Sequence, residues 1–262
     1  MQPALEFDRL SVLIEDLLPS VRLASAGYGV APTSCAEQCT PQLALHLILN
    51  AATPQLIVCS SSQLTVIDKS FNSTNKAAND TTNDTMGFIV AFEGPIGGLL
   101  VAEFIAPLVI ELNSAHSCLL QAVALIDQEL KVQRCGQSAM LKSSGDVLLI
   151  CLLRHLVQHP PRPVGLFQGL ADCRIAKTLV AMHGEPSTHW TLESLAVLAG
   201  MSRTAFAAHF SALMNISAGK YLENLRIAIA HHLVASGVGL KQAAKESGYA
   251  STSTLCRALN RH

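Results

Sequence analysis

The chain has 262 residues, half of them hydrophobic, which is ample for one large or two ordinary domains with buried cores. Charged residues make up only 14%, which excludes a chain disordered by composition, and the eight cysteines lack the dense pattern of a disulfide scaffold. The net charge of −1 hides a split: residues 1–168 carry nine basic and fourteen acidic side chains, net −5, and residues 169–262 carry nine and five, net +4. Polyanion binding needs local positive charge, so any such role belongs to the last third.

Residues 4–18 read as an opening helix. Glu6, Asp8, Glu15 and Asp16 are incompatible with a secretory leader, so the expected location is cytoplasmic, with mostly reduced thiols. Short β-like runs follow at 43–49, 55–59, 64–67, 87–92 and 99–104, separated by turn-prone residues, which favours a small β-barrel or sandwich. Residues 70–85 are almost wholly polar and are expected as a surface loop. The apolar stretch at 96–110 is broken by Glu103 and Pro107, so no membrane partner is expected.

Residues 115–133 and 138–158 read as helices. Leu119, Leu120, Val123 and Ile126 form one apolar stripe, and Leu148, Leu149, Leu152, Leu153 and Leu156 another. Such faces suit an antiparallel helix pair or a dimer interface. Pro160, Pro161 and Pro163 then stop the chain, so the expected division is 1–160, a linker at 161–171, and 172–262.

Two copies of one pattern occupy the C-terminal third. In residues 190–210, Thr191 is a candidate cap, and Leu192, Leu195, Ala196 and Ala199 share one helical face. Gly200 stops that helix, Ser202 caps the next, and Phe206 and Phe210 anchor it. In residues 240–259 the same parts are Leu240, Ala243 and Ala244, then Gly248, Ser251, and Leu255 with Leu259. Between them, Leu222, Leu225, Ile229 and Leu233 define a strut helix of roughly 15 residues, about 22 Å long. Two helix-turn-helix units held this way suit successive major grooves of double-stranded DNA, roughly 34 Å apart along the duplex. The expected DNA-binding residues are Ser202, Arg203, Thr204, Ala207 and Ala208 in the first unit, and Ser251, Thr252, Ser253, Cys256 and Arg257 in the second. Either arginine can give two hydrogen bonds to guanine, and the small side chains suit thymine methyls.

Residues 172–261 resemble the DNA-binding domain of AraC/XylS-type bacterial transcription regulators. The resemblance rests on Trp190, Thr191, Leu192, Leu195, Ala196, Met201, Ser202, Arg203, Phe206, Phe210, Tyr221, Leu222, Arg226, Ala230, Leu233, Ala244, Gly248, Tyr249, Ser251, Ser253, Arg257 and Ala258. By that resemblance Arg226 braces the strut. Lys220 stands where the family usually has proline, Leu255 and Leu259 replace phenylalanines, and the usual final helix is lacking after His262. The N-terminal part is similar, more loosely, to the cupin-type sensor domain of some of these regulators. That likeness rests on the opening helix, on residues 45–49, and on residues 97–112, and it lacks the family's mid-barrel signature.

Cys35, Cys39 and Cys59, with His46, are candidate redox or effector-sensing residues, although free cysteines often serve as small apolar fillers. His46 lies in an apolar run that suits a hydrogen-bonded core histidine. It is the only histidine in residues 1–115, which argues against a metal-dependent barrel enzyme. Nucleophile-elbow, phosphate-loop and zinc-protease motifs are absent, so no enzyme activity, cofactor or metal is expected.

The expectation is an α+β protein: an N-terminal cupin-like β-barrel with a helical hairpin, then an all-α domain with two helix-turn-helix units. It implies a homodimeric transcription regulator that binds promoter or operator DNA and RNA polymerase and answers an unknown small-molecule or redox effector. The alternative is a truncated regulator with impaired DNA binding that acts as an interaction or sequestering partner.

Overall fold

The computed structural model describes residues 8–17, 19–25, 41–48, 54–60, 85–113, 117–132 and 134–261. They fall into two compact units that are not consecutive along the chain. One holds Pro19–Glu93 and Gly97–His155; the other holds the residues up to Leu18, Gly94–Ile96 and Leu156–His262.

In the first unit, strands β1 (Pro19–Ser25), β2 (Gln42–Ile48), β3 (Gln55–Ser60), β4 (Thr85–Phe92) and β5 (Leu108–Glu111) make one sheet in the order β1-β4-β2-β3-β5. All four pairings are antiparallel. Leu43, Leu45, Leu47, Leu56, Val58, Phe88, Val90 and Phe92 line one face of the sheet, each at most 1% exposed, and Ala44, Ile48, Ile57 and Cys59 form a buried cluster on the other, so the central strands are packed on both faces. Pro19, which cannot donate a ladder hydrogen bond, starts an edge strand, where that loss costs least. Among the described residues no ladder joins β1 to β5, and the five strands form one antiparallel sheet. The expected strand at 64–67 and the polar loop at 70–84 lie outside the described residues.

Residues 99–104 were expected as a strand and are not one. The chain forms the short helix α2 (Gly97–Val101) and then turns, with Glu103 N–H donating to Leu100 O and Phe104 N–H to Val101 O at 3.1 Å each. A short apolar run has no periodicity that separates helix from strand. The turn after β4 is tight: a Cβ on Gly97 would lie 2.4 Å from Phe92 Cβ.

Helices α3 (Ser117–Lys131) and α4 (Gln137–Gln158) match the two expected helices. Their stripes are buried, with Leu119, Val123, Ile126, Leu148, Leu149, Leu152, Leu153 and Leu156 all at most 4% exposed. Gln137 Nε2 donates to Glu129 O at 2.6 Å across the turn between them. A disulfide, Cys118–Cys151, ties the two helices at a Cα separation of 5.9 Å. Cys59, Cys135, Cys173 and Cys256 are free thiols. Two cysteines 33 residues apart on separate helices leave no spacing signature, so only the packing shows the pair.

The second unit opens with α1 (Ser11–Leu17), shorter than the expected 4–18. Asp8 caps it, its Oδ1 accepting from the N–H groups of Leu10 and Ser11 at 3.0 Å each. The remaining helices are α5 (Leu166–Ala171), α6 (Cys173–Gly184), α7 (Leu192–Leu198), α8 (Arg203–Met214), α9 (Ala218–Ala235), α10 (Leu240–Glu246) and α11 (Thr252–Leu259). Among the described residues, no helix is long and apolar enough to cross a membrane.

Candidate nucleic-acid interface

Helices α7 and α8 form the first helix-turn-helix. Thr191 caps α7 in a reciprocal box: Ser194 N–H donates to Thr191 Oγ1 at 3.1 Å, and Thr191 N–H donates to Ser194 Oγ at 3.0 Å. This satisfies two backbone donors that a helix start leaves open. Gly200 takes φ +64°, the left-handed turn that ends α7, and Met201 N–H returns to Ala196 O at 2.9 Å. Ser202 caps α8, accepting from Ala205 N–H at 3.3 Å. Phe206 and Phe210 are fully buried, with ring centroids 5.6 Å apart.

Arg203, Thr204 and Ala208 of α8 are exposed, Ala207 is half-buried, and Ser202 is exposed at the start of the helix. Ser202 was expected as the cap and the other four as outward positions, and all five lie at the N-terminal end of α8, in its cap and first two turns. That end is the part of a recognition helix that meets base edges in this motif.

Helices α10 and α11 repeat the arrangement. Gly248 takes φ +77°, and Tyr249 N–H reaches back to Ala244 O at 2.8 Å. Ser251 and Thr254 form a second reciprocal cap at 3.2 and 3.1 Å. Ser251, Thr252, Ser253 and Arg257 are exposed, and Cys256 is half-buried. Arg257 Nε donates to Ser253 O at 3.3 Å, one turn back along its own helix.

The strut, α9, holds both units. Its Tyr221, Leu222, Leu225 and Ile227 are buried, and Ala230 packs with Ala243, Ala244 and Leu255. Arg226 braces the strut: its Nε donates to Pro186 O at 2.8 Å and a terminal nitrogen donates to Thr188 O at 2.9 Å. Burial holds the Arg226 guanidinium below its usual value and lifts the neighbouring Tyr249 phenol. Gly248 fits against this brace, because a Cβ there would come within 2.8 Å of Ser187 Cα and 3.0 Å of Arg226 Nε.

Two further anchors escaped the sequence reading. Asp172 caps α6, accepting from Arg174 and Ile175 N–H at 2.9 and 3.1 Å, and its Oδ2 lies 2.9 Å from His209 Nε2 on α8. Burial alone would raise its pKa, but the hydrogen bonds from His209 and the two N–H groups prevail and hold it below the usual value. Trp190 Nε1 donates to Glu185 O at 2.9 Å and pins the entry to α7. Asp172 directly before a helix is a legible cap signal; its partner His209 is visible only in three dimensions.

The candidate sensing residues divide. Cys35 and Cys39 lie outside the described residues. His46 on β2 is half-buried and Cys59 on β3 is fully buried; their register, His46 opposite Ile57 and Ala44 opposite Cys59, puts both on one face of the sheet. Burial pushes the Cys59 thiol up to about 11, which keeps it protonated and poorly nucleophilic near neutral pH. Among the described residues no group of three or more His, Cys, Asp or Glu stands close enough to hold a metal ion.

Comparison with known proteins matches both halves. A helix-turn-helix domain family covers residues 195–262, and a cupin family covers residues 51–158. A protein of Streptomyces antibioticus described as an AraC-like transcription regulator is 35% identical over 142 residues, 53% of this chain and 47% of that one. An HTH-type transcriptional regulator of Haemophilus influenzae is 30% identical over 152 residues, 58% of this chain and 51% of its own. AlkR, an HTH-type transcriptional regulator of Acinetobacter baylyi, is 26% identical over 227 residues, 82% and 72% of the two chains. The chain spans about half the length of several curated relatives it matches. Among solved structures, ToxT of Vibrio cholerae O395 aligns over 92% of this chain and 88% of its own, at 10% identity and a TM-score of 0.36, a likeness too distant to transfer detail.

A helical unit with two helix-turn-helix motifs behind a cupin-region sheet defines the class. These matches make the chain similar to AraC-type helix-turn-helix regulators that carry an N-terminal cupin domain.

Proposed function

We propose that this protein is a sequence-specific transcription regulator whose two helix-turn-helix units read adjacent major grooves of one promoter site, under control of the cupin-like sensor. The observation that carries this reading is the pair of capped units on one strut, each presenting a hydroxyl-rich helix start to solvent, with Arg203 at the start of α8 and Arg257 in the last turn of α11. Their surroundings are net basic at +4 over residues 169–262. Arg203 and Arg257 are the base-reading or phosphate-anchoring cations, Thr204, Ala207 and Ala208 pack on thymine methyls, and Ser251, Thr252 and Ser253 reach phosphates or base edges. A reading face so poor in long polar side chains leaves part of the specificity to DNA shape and to pairing of two copies.

The sensor reading extends the sheet to a closed cupin barrel that binds a small effector. Exposed Met140 and Val147, seven residues apart on α4, offer an apolar stripe to a second copy.

The test is a fluorescence titration of the full chain against its own upstream DNA with random-sequence competitor at two salt concentrations. Preference for the upstream DNA, weakening with salt, supports the reading. Arg203→Ala should cost about 1–3 kcal/mol on the preferred site. A loss confined to sites with one particular base makes Arg203 a base reader, and a uniform loss makes it a phosphate anchor. No preference over random DNA supports the alternative, a partner protein with impaired DNA binding.

A further inference from the structure

His183 on α6 is buried, 5% exposed, and both its ring nitrogens are engaged. Nδ1 lies 2.7 Å from Asp16 Oδ2 on α1, and Nε2 lies 2.7 Å from Tyr221 Oη on α9. Asp16 is 167 residues away in sequence, yet α1 and the helices from α5 onward belong to one compact unit. The contacts continue inward. Tyr221 meets Phe210 of α8 edge-on at 6.1 Å, and Phe210 packs on Phe206.

The direction of one hydrogen bond is fixed, and that of the other follows the form of the ring. A carboxylate only accepts, so Nδ1 must donate to Asp16. In the neutral imidazole Nε2 is then the acceptor, and the Tyr221 hydroxyl donates to it. The carboxylate therefore sets the tautomer, and the tautomer sets where the phenol points. The same ring supports the buried side of the first reading helix.

α1 is held by more than this bond. Arg9 donates to Leu170 O and Ala171 O at 3.1 Å each, closing the end of α5. Gly94 N–H donates to Leu17 O at 2.9 Å, and a Cβ on Gly94 would fall 1.9 Å from Asp16 O. Helix α1 thus presents Asp16 from a backbone fixed at both ends. Pro19, the start of β1, follows Leu17 by two residues, so the chain leads directly from this network into the cupin-region sheet.

We propose that Asp16 is a positioning residue for DNA reading. It acts through His183 and Tyr221 on Phe210, and so sets the seating of α8 from a residue outside the helix-turn-helix domain. The proposal rests on the DNA-reading function above, and its test separates the two.

Full-length wild type, Asp16→Ala, Asp16→Asn, His183→Gln and Tyr221→Phe are compared in three measurements. Without DNA, amide hydrogen exchange in Asp16→Ala should accelerate in α8 around Phe206–Phe210 and stay unchanged in α10 and α11. Imidazole nitrogen NMR should show the Nδ1–H form of His183 in wild type and lose it in Asp16→Ala. With DNA, Asp16→Ala should weaken specific binding about tenfold, the scale of one charge-assisted hydrogen bond, and Asp16→Asn, which keeps an acceptor oxygen, should lose less. If Asp16→Ala does not fold, Asp16→Asn and Tyr221→Phe carry the same measurements. Uniform acceleration of exchange across α8, α10 and α11, or wild-type exchange in α8, overturns the proposal. A wild type with no DNA preference overturns the DNA reading and with it Asp16's part in that reading, and the exchange and tautomer measurements separately decide whether the network seats α8.

Discussion

In the first helix-turn-helix unit the core contains Phe206, Phe210, Met214, Tyr221, Leu222 and Leu225, all at most 7% exposed. In the second the buried residues are Ala230, Ala243, Ala244 and Leu255, with Leu233, Val238, Tyr249 and Leu259 only partly covered. The starts differ too. Thr191 caps α7 with its side chain, but α10 begins at Gly239 with no side-chain cap. The turns are nearly the same, with Gly200 and Gly248 at φ +64° and +77°. The lesson is that local punctuation and core size are separable. Caps and glycine turns set the shape of each unit, and buried apolar volume sets how firmly it holds. The second unit has the shape on a smaller core, so it should open at lower free energy than the first.

Substitutions in either unit, and acid, break or sharpen this contrast. The largest effect is expected from Phe210→Ala, about 3–5 kcal/mol, because it empties the centre of the first core and removes the partner of both Phe206 and Tyr221. Calorimetry should show the whole C-terminal unit destabilised. Leu255→Ala, at about 2–4 kcal/mol, should act locally. Hydrogen exchange should rise in α10 and α11 with α7 and α8 still protected, and simultaneous loss of both would show that the units are one cooperative block.

The two turn glycines come next. Gly248→Ala meets Ser187 Cα and the Pro186 carbonyl at 2.8 and 3.0 Å in addition to its positive φ, whereas nothing lies within 4 Å of a Cβ on Gly200. Chemical denaturation should therefore show a loss of about 1–2 kcal/mol for Gly200→Ala, from backbone conformation alone, and a larger one for Gly248→Ala. Equal losses would mean that the brace around Arg226 yields. The smallest change is Gly239→Ser, which supplies the missing cap and should stabilise the second unit by a few tenths of a kcal/mol.

Acid should also distinguish the units. Asp172, tied to α8 through His209, has its pKa lowered on folding, so its contribution is present above the unfolded value of 3.8 and is lost as pH falls through the folded value. Melting followed from pH 6 down to pH 3 should show a steeper loss for α6–α8 than for α10–α11, and Asp172→Asn should flatten it.

Much of the C-terminal interface was legible because its signals are local. Thr191, Gly200, Ser202, Gly248 and Ser251 act within a few residues of themselves, so each could be placed by neighbours in sequence. The N-terminal region was less legible. Strands β2, β3 and β4 follow apolar runs, but 99–104 carried the same composition and became a helix and turn. β1, with Arg22 and Ser20 inside it, was not marked at all. Its evidence is the ladder to β4, from Pro19 opposite Phe92 onward, which is a property of the partner strand.

The sequence by itself determined the α+β class, the two helix-turn-helix units, and the caps of α7, α8 and α11 with their glycine turns, because helical periodicity and capping depend on residues three or four apart. Only the tertiary structure decided the Cys118–Cys151 bridge, the Asp172–His209 pair, and the placement of α1 with the C-terminal unit through Asp16, His183 and Tyr221. Those contacts join residues 33 to 167 apart, and at such separations no local pattern marks which polar or sulfur atoms will meet.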